Sequence, residues 1–309
     1  MSEIKRERAY CIELSKVITP YLARELYFNE DSDYYNKKLH FKCDKENCEA
    51  MLTGVNIYND KKFKIPLHFR TIKKQIHTCE NEMKDEVSGS KSNDIAKSRI
   101  TLTRYPSEFI LNPSKSETLG GNIVEIEDDK ENDTQIQIRK GSREYTQKIK
   151  RLKISCFEHL IDCYLNGDKD ILKNINLTIN NKTKKFYNYF KQLKYYRDEE
   201  GLIYFGRVEK IENYGNDVKI VFKDRIWDES KPLKASIYIK NKVIDSYGKK
   251  RKFRNEINEI IKKKDYEILC FFIGTYPKIE ERKSKEGNYY KQIQVEINNL
   301  NHLLVTFNK

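Results

Sequence analysis

Cys43-x4-Cys48, followed after 28 residues by His77-Thr78-Cys79, constrains this chain more than any other feature. Two pairs of thiolate and imidazole donors, each on a turn-like segment, are what a tetrahedral structural zinc site requires. A closed four-ligand site stabilises a small unit that has little apolar core of its own. The best ligand set is Cys43, Cys48, His77 and Cys79, and the runner-up replaces His77 with His68. Three of the seven cysteines and two of the five histidines fall within residues 43–79, which argues against coincidence. The x4 spacing is looser than the common two-residue knuckle, and His-x-Cys is an unusual second half. A catalytic ion would need an open coordination position and a general base aimed at it. Glu46, Glu49 and Glu80 are near in sequence, but no spacing directs one at the metal. The His-x-Glu and later Cys-x-x-Cys of a zinc deaminase are absent. The expectation is therefore a structural Zn2+.

The chain is too long for one typical domain, with 309 residues. Its pattern predicts a multidomain α+β protein. Residues 1–85 read as the zinc-binding unit, with a helix over Ser15–Phe28 and short strands at 39–43 and 63–69. Residues 86–145, rich in Ser, Asn, Asp, Glu and Gly, read as an acidic linker or weakly ordered segment. Residues 146–200 read as a small α+β unit. In it, Ile149, Leu152, Ile154, Phe157, Leu160, Ile161 and Tyr164 recur at helical spacing, and a second helix is expected across Lys184–Tyr196.

Residues 201–309 are the most legible. Strands are expected at 201–209, around Val218–Phe222, after Pro232, at 266–275, at 289–298 and at 303–307, with a helix across 253–264. Three strands, a helix and two or more strands within about 110 residues is the order of an oligonucleotide/oligosaccharide-binding (OB) barrel. An OB-like β-barrel is therefore expected here, with 276–288 as the loop between its last two strands.

Lys and Arg number 60 against 47 Asp and Glu, a net charge of +13. Such an excess favours a polyanionic partner, because each neutralised phosphate releases condensed counterions. In an OB barrel, aromatic rings stack on bases while cations track phosphates. The stacking candidates are Tyr204, Tyr238, Tyr247, Tyr276, Tyr289 and Tyr290. Their cationic companions are Lys240, Lys278, Arg282, Lys283, Lys285 and Lys291, with Lys249, Lys250, Arg251, Lys252 and Arg254 clustered at the entry to the helix. Single-stranded DNA or RNA is the favoured partner, with a protein partner as the alternative.

Phe41-Lys42-Cys43, Leu67-His68-Phe69-Arg70, His77 and Cys79 together carry a likeness to a known family. Over about residues 10–80 the chain resembles the zinc-binding N-terminal region of competence protein CoiA-like families. The resemblance implies Cys43 and Cys48 as ligands, completed by His68 or His77 with Cys79, and a nuclease domain downstream. A metal-dependent nuclease needs paired carboxylates and a lysine to activate water. Glu125 and Glu127, with Lys130, form the available set, but they sit in an acidic, glycine-flanked stretch that reads as a solvated loop. The nuclease activity is therefore an alternative and not the expectation.

No phosphate-binding loop, dinucleotide fingerprint, nucleophile elbow or His-Glu-x-x-His pattern occurs. Cys156 and His159 share a helix face, but with no third orienting group they read as packing residues. Cys11, Cys163 and Cys270 read as small core residues. The first residues, MSEIKRERAY, lack the apolar core of a signal peptide, and no long apolar run follows. A cytoplasmic protein with no membrane partner is expected.

Overall fold

The computed structural model describes residues 6–60, 67–73, 77–79, 105–113, 134–140, 143–149, 152–196, 199–228, 231–262, 266–283 and 287–307. Two of these stretches, 134–140 and 143–149, are described by backbone alone. The chain divides into two compact units, one of Met1–Asn59 and Ile65–Thr183, the other of Asp60–Lys64 and Lys184–Lys309. Among the described residues, no helix is long and apolar enough to cross a membrane.

In the first unit β1 (Ala9–Cys11), β2 (Lys16–Ile18), β3 (Phe41–Lys42), β4 (Met51–Val55) and β5 (His68–Thr71) form an antiparallel sheet in the order β2-β1-β3-β4-β5. The helix expected from Ser15 starts later, as α1 (Pro20–Phe28), because Lys16–Ile18 pairs with β1. Its start is encoded locally. The Thr19 hydroxyl accepts from the Leu22 N–H at 3.2 Å, and Pro20 occupies a first-turn position where its missing N–H costs nothing. Ala9, Ile18, Leu22, Leu26, Phe41, Leu52 and Phe69 close the core between helix and sheet. Arg24 is buried beside that core, its guanidinium donating to the carbonyls of Asn56, Ile57 and Asn59 at 2.8, 3.1 and 2.5 Å. The loop after β4 is thereby tied to α1.

The rest of this unit departs from the periodicity reading. β7 (Thr134–Lys140) and β8 (Arg143–Ile149) pair residue for residue as a hairpin, although 86–145 reads as a linker. The helix expected from Ile149 begins only at Phe157, as α2 (Phe157–Asn166). The residues before it are claimed by β8 and by β9 (Lys153–Ile154), so ladder hydrogen bonds override the helical spacing. β6 (Glu108–Phe109) lies between β9 and β10 (Asn176–Ile179), parallel to both, and β11 (Lys182–Lys185) completes that sheet. α3 (Lys169–Asn174) is capped by Asp168, whose carboxylate accepts from the N–H groups of Asp170 and Ile171. Tyr21 of α1 stacks on His159 of α2, with centroids 4.2 Å apart, and its hydroxyl donates to Asp162. His159 thus packs against a tyrosine ring.

The second unit opens with a further correction. Lys184–Tyr196 is no helix: 3-10 turns at Phe186–Tyr189 and Leu193–Tyr195 flank β12 (Phe190–Gln192). Phe186 and Tyr189 are three apart, as are Phe190 and Leu193, and all four are buried. A three-residue repeat serves a 3-10 turn as well as an α-helix.

β13 (Ile203–Tyr214), β14 (Asp217–Asp228) and β15 (Lys231–Ile239) form an antiparallel meander. Helices α4 (Asn241–Asp245) and α5 (Lys250–Lys262) follow, then β16 (Ile268–Phe272), antiparallel to the first half of β13. β17 (Lys278–Lys283) and β18 (Tyr289–Glu296) make a hairpin, so the loop expected over 276–288 is largely strand. β18 runs parallel to β15, and β19 (Leu303–Phe307) runs antiparallel to β16. The path reads β17-β18-β15-β14-β13-β16-β19, with β12 parallel to the start of β13 on the edge opposite β16. Irregularities between Val208 and Lys210, and between Val221 and Arg225, let β13 and β14 coil.

The expected closed barrel is not found: among the described residues no ladder joins the two ends of this sheet. The outer edge of β18 is taken by β17 and that of β16 by β19, so the strands that would meet each have another neighbour. One face packs a single core of Tyr204, Phe222, Ile237, Ile257, Phe272 and Val295, with α5 contributing through Ile257 and Ile260. Tyr204 belongs wholly to this core. Its ring stacks on Phe272 at 5.7 Å and its hydroxyl donates to the Glu199 carbonyl at 2.9 Å, so it offers no surface to a ligand. Tyr204→Ala should lower the stability of the second unit by about 3–5 kcal/mol, as for other large aromatic truncations. Denaturant unfolding followed by circular dichroism checks this, and a near-neutral effect would return Tyr204 to the surface.

Candidate metal centre and nucleic-acid interface

Cys43 directly follows β3, and Cys48 lies three residues before β4, so the turn of this hairpin carries both thiols. The Cys43 N–H donates to the Ala50 carbonyl at 2.9 Å, and Asn47 takes up the left-handed conformation at φ 58° that closes the turn. β5 runs beside β4 with Thr71 opposite Leu52, so the chain leaves β5 at the same end of the sheet. His77 and Cys79 follow, and the Thr78 hydroxyl donates to the Asn47 carbonyl at 3.1 Å, pinning the two segments together.

One donor atom from each of Cys43, Cys48, His77 and Cys79 lies within 4.8 Å of the others, and all four residues are buried. The Sγ atoms of Cys43 and Cys79 are 3.7 Å apart, and those of Cys79 and Cys48 3.5 Å. Nδ1 of His77 is 3.4 Å from the Cys48 sulfur and 3.7 Å from the Cys79 sulfur. With metal–sulfur bonds of about 2.3 Å and metal–nitrogen bonds of about 2.0–2.1 Å, a tetrahedron places sulfurs ~3.8 Å apart and sulfur from nitrogen ~3.6 Å. The cluster fits a bound metal ion on donor type and on spacing. The other ring nitrogen, Nε2, lies 2.8 Å from the Thr71 hydroxyl, the kind of outer partner that fixes a ligating imidazole.

His68 lies outside the cluster. It starts β5 opposite Val55, three residues from Thr71 and so about 10 Å away along the strand. The choice between the two histidines therefore falls on His77. Glu49, considered above as a base, is bound by Lys42 at 3.0 Å on the surface. The metal-free thiols differ sharply. Burial pushes Cys43 up to about 12, and burial with the neighbouring Cys48 raises Cys79. Burial would raise Cys48 too, but the N–H groups of Ala50 and Cys79 and the Thr78 hydroxyl outweigh it and draw that thiol down to about 5. One thiolate thus stands ready among two protonated thiols.

The surface residues are only partly gathered. Lys249 and Lys250 are half-buried and Arg251 is exposed at the start of α5. Lys252 pairs with Glu256 at 3.5 Å and Arg254 with Asp245 at 3.3 Å, which spends part of the cluster's charge within the fold. Tyr238 is half-buried and donates to Asp217. Tyr276 is half-buried, with the Lys278 ammonium 5.3 Å from its ring centroid. Tyr289 is exposed, with Lys283 at 5.5 Å across the β17–β18 hairpin. The residue that sequence reading passed over is Trp227, the only tryptophan, exposed at 67% on β14. The signal was present: Ile226 is core, so its strand neighbour faces outward. Glu125, Glu127, Lys130 and Lys285 lie outside the described residues.

No family model and no curated protein matches this sequence.

Cys43→Ser and Cys48→Ser should each lose bound metal, whereas His68→Ala should retain it. Metal analysis of the purified variants decides this, and stoichiometric metal in Cys48→Ser would overturn the ligand set. Loading the metal-free protein in weak buffer near neutral pH should release about two protons, those of Cys43 and Cys79. Apparent affinity therefore falls as pH falls, since protons compete for the raised thiols. An affinity that ignores pH across the neutral range would contradict that assignment.

Proposed function

We propose that the chain is a non-catalytic nucleic-acid-binding protein that holds single strands on its second unit and uses a structural Zn2+ to fix its first. The observation that carries the reading is the company kept by the accessible tyrosines of the second unit. A lysine ammonium lies near the ring of Tyr195 at 4.7 Å, Tyr247 at 5.1 Å, Tyr276 at 5.3 Å, Tyr289 at 5.5 Å and Tyr214 at 6.0 Å. Rings that stack on bases, set beside cations that track phosphates, are the two components of sequence-tolerant single-strand binding. The net charge of +13 supplies the long-range attraction.

Zinc is the ion proposed for the Cys3His cluster, because three thiolates and an imidazole suit it and four protein donors leave no open position for catalysis. The second unit is read as an opened relative of the OB barrel. Support comes from the meander β13–β14–β15, the helices before β16, the antiparallel pairing of β16 with β13 and the parallel pairing of β18 with β15. On this reading the likeness to CoiA-like proteins concerns the zinc unit alone. A docking adaptor for a protein partner is the second reading, favoured by the same exposed rings. Salt dependence separates the two.

The test is binding to fluorescent single-stranded and duplex DNA and RNA across a salt series. Single strands should bind saturably and weaken steeply with salt. Replacing Lys249, Lys250 and Arg251 together by Gln should lower the slope of log affinity against log salt by about 2, ~0.7 for each phosphate no longer neutralised. An unchanged slope would remove α5 from the interface, and no binding at low salt would overturn the reading in favour of the adaptor.

A further inference from the structure

At the β14–β15 end of the second unit's sheet, an aromatic strip faces outward. Trp227 of β14 is paired with Pro232 of β15. The ladder between β15 and the parallel β18 begins with Ala235 opposite Ile293, and extending that register three residues back along both strands brings Pro232 level with Tyr290. Tyr290 is paired in turn with Arg282 of β17. Trp227, Pro232, Tyr290 and Arg282 therefore form one transverse row across four strands. Facing follows from the alternation: Ile226 and Leu233 belong to the core, so their neighbours Trp227 and Pro232 turn the other way, and Tyr290, an odd three residues from the core residue Ile293, does the same. The exposures agree, at 67% for Trp227 and 46% for Tyr290, with Pro232 and Arg282 also exposed.

The next row inward carries charge. Arg225 is paired with Lys234, and both stand on this outward face one pleat from Trp227 and Pro232. Arg225 reaches Glu209 at 3.1 Å and Arg282 reaches Glu280 at 3.0 Å, so each of those two cations has one acidic companion, while Lys234 adds to the positive side.

We infer that this row is the base-stacking platform of the protein, with Trp227 and Tyr290 each receiving an unpaired base and Arg225, Lys234 and Arg282 following the phosphates. The inference rests on the nucleic-acid reading above and adds to it the face, the rings and the preference for unpaired strands. Adjacent strands lie about 4.8 Å apart, so the two rings, two strands apart, stand roughly 10 Å from each other with the flat proline between them. That is a narrow strip one or two rings wide. A protein interface would need a broader apolar centre with its charges displaced to the rim, whereas here cations sit within one pleat of the rings. A base inside a duplex has both faces covered by its neighbours, so only an unpaired strand can lay bases on these rings.

The single tryptophan makes the test direct. Oligo(dT) and oligo(rU) titrated into the intact protein should quench Trp227 fluorescence, with the same midpoint as binding followed by anisotropy of labelled strands. Trp227→Ala and Tyr290→Ala together should weaken single-strand binding about ten- to a hundredfold or more. The salt slope should stay unchanged, because no cation is removed. Both side chains are exposed, so the variant should keep the circular dichroism spectrum and unfolding midpoint of the parent. Saturable anisotropy without quenching, or unchanged affinity in the double variant, would overturn the platform while leaving nucleic-acid binding standing. Absence of any binding at low salt would overturn both, and equal affinity for duplex would overturn the stacking geometry.

Discussion

The seam between β4 and β5 is the constraint on which the first unit depends. Four paired positions, from Leu52 with Thr71 to Val55 with His68, bring together two donor pairs that are far apart in the chain. The hairpin turn at 43–50 then faces the segment 77–79 at the same end of the sheet. Four buried groups meet there, three of them thiols, in a cluster with Ala50 as its apolar wall. Without an ion, such a group of polar atoms out of water is a burden: one thiolate must share a dry site with an imidazole and two thiols. With an ion, the same burial becomes an asset, because low solvent access strengthens every metal–ligand attraction. The cluster makes most physical sense as a metal centre.

The second unit solves a different problem. Its core is a continuous apolar face shared by strands and α5, and it needs no staple. The difficulty lies at the sheet's ends. Open edges invite pairing with other chains, and here they are occupied by β17, dense in Lys, Arg and Glu, and by the short β19. The hairpins that project beyond the core are therefore free to carry rings and cations instead of packing residues. Trp227 and Tyr290 are exposed rings on the outward face, and a buried position would have suited either of them equally well by size.

Much of this was legible in the sequence where a pattern had one physical cause. Strict alternation placed the core faces of β14, β15 and β18, and the Cys and His spacing picked out the three thiols and the two histidines from which the buried cluster is drawn. It failed where two structures shared one spacing. Phe186, Tyr189, Phe190 and Leu193 suit a helix face, yet they serve two 3-10 turns around a strand. Leu152 and Ile154 suited the start of a helix, yet residues 153–154 pair with β6. Tyr204 looked like a stacking residue because a tyrosine in a barrel strand faces either way, and only the register with Phe272 shows that it faces in. Choosing His77 over His68 needed the end of β5, which no spacing in the chain gives.

The central claim is that a metal at Cys43, Cys48, His77 and Cys79 holds the first unit together while the second stands on its own core. Hydrogen exchange measured on the native protein and after treatment with a strong chelator tests it most directly. The account predicts that chelation removes amide protection across β3, β4 and β5 and leaves β13 to β16 protected. Unchanged protection in β3 to β5 after the metal is gone, or equal loss in both units, would contradict it.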